Sequence, residues 1–149
     1  MAKTQKDRMN TIIAIINSNT SISNSKVNKL KVEFKQVINV DSVTPQKRKN
    51  ILKILHATRG LDSTMREILD HFSIRNGKHS IGQFLHQFTH HNNTSLGKLS
   101  TSEKAKYQRE IADVRNTHLH TADSYPRNDS EVYKLLSEME ALITRIASL

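Results

Sequence analysis

The chain of 149 residues has no cysteine and no tryptophan, and only two prolines and four glycines. Without cysteine there is no disulfide framework, no thiolate metal ligand and no cysteine nucleophile. With so few helix breakers and little alternation of β-branched residues, helix is favoured over sheet. Long hydrophobic runs are also missing. The run Ile12 to Ile16 is too short to span a membrane, and polar residues follow it without a small-residue cleavage site. The expectation is therefore a cytoplasmic protein without a membrane partner. The length suits a single domain and allows about two-thirds of the unfolded surface to be buried.

Negative charge is scarce in one part of the chain only. Residues 1–60 carry 12 Lys/Arg against 3 Asp/Glu, whereas residues 61–149 carry 11 of each. All of the net charge of +9 thus lies in the first 60 residues. A basic segment beside a neutral one suits contact with a polyanion such as nucleic-acid phosphate. A solvated, lysine-rich helical surface accounts for the same count.

Apolar residues recur at helical spacing along the chain. Met9, Ile12, Ile13 and Ile16 define a first helix from about Lys3, and Val27, Leu30, Phe34 and Val37 a second, with Lys26, Lys29 and Lys35 outward. Thr44 suits an N-cap with Pro45 as the first helical residue. The third helix then has Ile51, Ile54 and Leu55 inward and Lys47, Arg48, Lys49 and Lys53 outward. Gly60 is expected to interrupt or bend it before Leu61, Met65, Ile68 and Leu69 continue the stripe. Asn76-Gly77 signals a turn, Ser80 a cap for Ile81 to Phe88, and Ser100 or Thr101 a cap for the next helix. Pro126 ends that helix before Tyr125. Asn128 and Glu131 form a capping-box pattern ahead of a last helix with Val132, Leu135, Leu136, Met139, Leu142, Ile143 and Ile146. The prediction is an all-α, single-domain bundle of about six to seven helices.

The segment richest in chemistry is Asp113-Val-Arg-Asn-Thr-His-Leu-His120. On a regular wheel Tyr107, Ile111, Val114 and His118 face the core, which makes His118 structural. Arg109, Asp113, Asn116 and His120 share a stripe pointing away, and Arg115 sits at the shoulder. Such a set suits RNA cleavage without metal. An imidazole can take the proton of a ribose 2′-hydroxyl or give one to the leaving oxygen. A guanidinium can hold the phosphate and stabilise its extra charge in the transition state. An amide can orient either. A symmetric dimer would supply two imidazoles and two guanidinia. The same residues are also what an ordinary solvated helix face carries.

Arg115-Asn-x-x-x-His120, on the penultimate helix of a small all-α domain, resembles the signature of the HEPN superfamily (higher eukaryotes and prokaryotes nucleotide-binding): an Arg, four to six residues beginning with Asn or another polar residue, then His. The run His56 to Leu69 resembles that superfamily's early core helix. The resemblance covers about residues 45–149, and residues 1–44 form a basic helical segment packed on the same domain. It implies a homodimer with the two motifs facing each other, and RNA cleavage leaving a cyclic phosphate, of the toxin or phage-defence type. An antitoxin or nucleotidyltransferase partner is implied with it, and no cofactor. Arg115 would bind phosphate, His120 would be the catalytic histidine and Asn116 the polar residue after the arginine. Apart from the resemblance, the charge of Arg109, Lys47, Arg48, Lys49 and Lys53 suits contact with the RNA backbone, and the face from Lys47 to Lys53 equally suits an acidic partner or solvent. Some members of the superfamily are not nucleases, so the alternative is a non-catalytic domain that binds RNA, a nucleotide or a protein.

Two further clusters carry less. Arg75-Asn-Gly-Lys-His79 repeats the residue types of the motif one position short and across a turn, and is read as coincidence. His86, His90 and His91 have zinc-like spacing but no cysteine or carboxylate to complete a set, so no metal is assigned.

Overall fold

The computed structural model describes residues 3–121, 124–126 and 128–149. It consists of α1 (Gln5–Ser18), α2 (Asn24–Asn39), α3 (Gln46–His71), α4 (Ile81–His90), α5 (Thr101–Tyr107), α6 (Asp113–His120) and α7 (Asp129–Ala147). A 3-10 turn, Val40–Ser42, follows α2, and a π-helical segment, Gln108–Ala112, joins α5 to α6. The backbone stays helical across that joint, so α5 and α6 are two parts of one rod. Among the described residues there are thus six helical rods and no strand.

The 26-residue α3 is the central element: α2, α4, α6 and α7 all pack on it, while α1 lies against both α2 and α7. One buried cluster runs from Met9 and Ile12 through Phe34, Leu61, Phe84 and Ile111 to Leu142 and Ile146. The first two helices therefore share the core of the rest. Much of the N-terminal positive charge is used in that packing. Lys3 Nζ and Arg8 Nη1 lie 2.6 and 2.9 Å from the Glu140 carboxylate of α7, and Lys26 Nζ lies 3.7 Å from Glu67 of α3. No helix of the described residues is long and apolar enough to cross a membrane.

Local chemistry sets the helix ends. Thr4 Oγ1 accepts from the Asp7 amide and Ser80 Oγ from the Gln83 amide, while Ser100 and Glu103 close a complete capping box. After α3 the chain turns through Ser73, Asn76 and Gly77, all at positive φ, and the Ile74 amide closes back on the Leu69 carbonyl at 2.9 Å. This turn delivers Lys78, His79 and the start of α4.

Three expectations are corrected. Pro45, not Thr44, occupies the N-cap position of α3, one residue later than the spacing suggested. Gly60 neither interrupts nor bends the helix. It is there because α2 comes close: a Cβ on Gly60 would lie 2.6 Å from Cζ of the buried Phe34 ring. Lys53 is not on the outer face but 4% exposed, with Nζ between the Gln5 side-chain oxygen and the Asp41 carboxylate. Asn50 is buried beside it and donates to Asp129 Oδ1 at 3.3 Å, whereas Ile51 and Leu55 are only half-buried. The inward face of α3's first turns is polar because α1, the 3-10 turn and α7 bring polar partners to it.

Candidate functional site

The π segment positions the candidate site. A π turn takes up one residue more than an α turn, so each residue beyond it is displaced by about 100° from its place on a regular wheel. The stripe Arg109, Asp113, Asn116 and His120 expected from a regular helix does not face a single cleft. Arg109 and Asp113 line a depression of about 510 Å³ toward Tyr125 and α7. Asn116 lines a different cleft, together with Gln108, Ala112 and Arg115. Gln108 Nε2 donates to Asp113 Oδ1 at 2.9 Å, linking the two hollows. Its amide lies over Gly82, where a Cβ would meet Oε1 at 2.8 Å, so the missing side chain lets the π segment approach α4.

Arg115, Asn116 and His120 are brought together. Arg115 Nη1 lies 3.4 Å from Asn116 Oδ1, to which it donates, and 3.3 Å from His120 Nε2. A guanidinium only donates, so this contact makes Nε2 the acceptor and puts the ring's proton on Nδ1 when the imidazole is neutral. Asn116 and His120 are exposed and Arg115 is half-buried. Both bonds are long and formed at the surface. His118 differs: its side chain is 9% exposed, with Nδ1 3.2 Å from Ser124 Oγ and Nε2 3.9 Å from Glu131 Oε1. It lies on the side of the rod turned to α7 and borders the second depression.

The other expected RNA-binding residues do not line the Arg115 cleft. Arg109 Nε pairs with Glu110 at 3.2 Å, leaving a largely exposed side chain above the second depression. Lys47 Nζ lies 5.5 Å from the centre of the Tyr125 ring, on the border of that same depression. Arg48 is exposed and Lys49 half-buried on the first turn of α3, and Lys53 is withdrawn into its buried pair. The basic groups thus flank the second depression more than the first. A hydrogen bond from Lys134, with a lesser one from Arg109, holds the Glu110 carboxyl below the usual carboxylate range against the opposing effect of burial.

The cleft contains groups the sequence did not point to. The wall facing Arg115 and Asn116 is made by Asp62 of α3, by His79 and by the first turn of α4 from Ser80 to Gln83. The cleft encloses about 320 Å³. His79 is 36 residues from Arg115 in sequence, and the Arg75 to His79 composition is its only signal there.

No group of three or more His, Cys, Asp or Glu is placed to hold a metal ion among the described residues. His86 and His90 stack at 4.5 Å between ring centres, but the third member of that set is committed elsewhere. His91 is buried, bonded through Nε2 to the Gly97 carbonyl at 2.8 Å and through Nδ1 to the Asn93 amide. Desolvation first, then His90, Lys104 and Lys78, lowers the pKa of His86. Compared with family models, with curated proteins and with solved structures, the chain matches none.

Proposed function

We propose that the chain is a metal-independent endoribonuclease whose reacting groups are Arg115 and His120, oriented by Asn116. The observation that carries this reading is the 3.3 Å contact between Arg115 Nη1 and His120 Nε2, with Arg115 and Asn116 lining an open cleft. A guanidinium and an imidazole side by side are the two groups that phosphodiester transesterification needs. His120 takes the proton of the ribose 2′-hydroxyl, and the 2′-oxygen attacks phosphorus. The phosphorus–O5′ bond breaks and O5′ receives a proton. The products are a 2′,3′-cyclic phosphate and a 5′-hydroxyl, and Arg115 stabilises the charge that builds on the phosphoryl oxygens. One imidazole cannot take and give a proton in the same instant. The second is assigned to His120 of another copy, related by a two-fold axis that joins the two exposed α6 ends.

The test is incubation of single-stranded RNA with the purified protein in excess chelator. Cleavage to cyclic-phosphate ends is expected, with His120→Ala and Arg115→Ala each slower by about 10²- to 10⁴-fold while their circular dichroism stays that of the parent. Cleavage by His120→Ala at the parent rate overturns the assignment. Retained RNA binding with no cleavage by the parent overturns the enzymatic reading in favour of a binding domain.

A further inference from the structure

We infer that His79 is a phosphate-contacting residue of the same site, acting from the same chain as a hydrogen-bond donor rather than as an acid or base. This rests on the endoribonuclease reading for its substrate, a single-stranded RNA phosphodiester, but on separate residues for its geometry.

His79 lines the cleft opposite Arg115 and Asn116, on the segment that enters α4. Both its backbone and its ring are held. Its amide donates to Gln83 Oε1 at 2.9 Å, one turn into α4. Its Nδ1 lies 3.5 Å from Arg75 Nη1. Arg75 is itself fixed, with Nε 2.6 Å from Asp70 Oδ1 and Nη1 donating to the Lys78 carbonyl at 3.3 Å. The chain Asp70, Arg75, His79 thus runs from the last turn of α3 around the left-handed turn at Asn76 and Gly77.

The direction of the Arg75 contact decides the chemistry. A guanidinium has no lone pair to offer, so Nδ1 of His79 must be the acceptor. The ring proton is then on Nε2, which remains the ring's donor for a ligand in the cleft. The ring is therefore arranged to donate from Nε2. Across the cleft the Arg115 guanidinium also only donates. An oxyanion between the two walls satisfies both, and a phosphodiester carries the two non-bridging oxygens needed. Asp62, also on the wall, is turned to Arg66 Nη2 at 3.3 Å, so its charge is partly met. A site of this kind supplies one wall from α6 and one from the α3–α4 turn, both within one chain.

The experiment compares the parent, His79→Ala and His79→Gln, the glutamine amide being a donor that does not titrate. Cleavage of single-stranded RNA is followed across pH 5 to 9, together with equilibrium binding of an inert strand lacking the attacking 2′-hydroxyl. His79→Ala is expected to lose about 10- to 100-fold in kcat/KM and to bind the inert strand more weakly by a similar factor. His79→Gln is expected to recover most of both, with the limbs of the pH profile where the parent has them. An active parent matched in rate and binding by His79→Ala overturns the inference and leaves the endoribonuclease reading standing. A glutamine variant as impaired as alanine, with one limb of the profile lost, overturns the donor role. A parent that binds but does not cleave overturns the endoribonuclease reading alone, because weaker binding by His79→Ala still tests the phosphate contact.

Discussion

Gly60 shows how one missing methyl group positions a helix pair. Alanine would gain about 1 kcal/mol of helix propensity at this interior position. Its Cβ would also meet Phe34 Cζ at 2.6 Å and Cε1 at 2.7 Å, with the ring fully buried. Overpacking of this kind costs about 1–3 kcal/mol, more than propensity returns. Gly60→Ala is therefore expected to lower stability by about 1 kcal/mol net, read as a lower urea midpoint with an unchanged slope. A higher midpoint would mean that α2 retreats at little cost. Residues of this kind mark what sequence alone made legible. Arg115, Asn116 and His120 lie within six consecutive positions, so helical spacing was enough to bring them together. The glycine at position 60 read as a break because its reason, Phe34, is 26 residues away. Lys53 read as outward for the same cause: its partners Gln5 and Asp41 come from other elements.

At the scale of elements, most of the architecture follows from local signals, since each helix carries its own stripe and several carry their own caps. The segment Gln108–Ala112 does not, because no residue type there demands a wide turn. The wide turn reconciles two packing demands on one rod. Tyr107 and Ile111 must both reach the core, while Gln108 must fit over Gly82 and Arg115 must open onto the α4 cleft. A regular wheel could not anticipate that wide turn, which displaces Arg109 relative to Asn116 and His120. Deleting the exposed Arg109 removes the extra residue and returns the rod to α geometry. The prediction is helical circular dichroism close to the parent's with RNA cleavage retained, because the wide turn takes up one residue and its removal leaves Arg115 and His120 on the faces they already occupy relative to α5. Loss of cleavage by a deletion variant that keeps the parent's circular dichroism would show that the site needs Arg109 or the wide turn itself.

Over the whole molecule, charge is segregated in sequence but interleaved in space. Lys3 and Arg8 of the basic part reach Glu140 of α7, and the α5–α6 rod is tied to α7 by Arg145 with Glu103 and by Lys134 with Glu110. The contacts between that rod and α7 hold the rod in register with the core. Hydrogen bonding from Arg145, then from the Ser100 amide, lowers the Glu103 pKa despite some desolvation, and Lys134 does the same for Glu110. A carboxyl with a lowered folded pKa adds stability above its unfolded value, about 4.3, and loses that contribution as pH falls through the folded value. The stabilising effect of these two acids is thus complete at neutral pH and declines below about pH 4–5. Glu103→Gln keeps an oxygen for the Ser100 amide but gives up the charge facing Arg145. The variant is expected to have a lower Tm than the parent at pH 7, and the difference should narrow as the pH is lowered to 3, where the parent's carboxylate is being protonated too. Both side chains remain partly exposed, so 0.5 M salt should reduce the neutral-pH difference as well. A Tm difference that stays constant from pH 7 to pH 3 would assign the effect of the substitution to packing and capping, and would remove the charge of Glu103 from what holds the α5–α6 rod against α7.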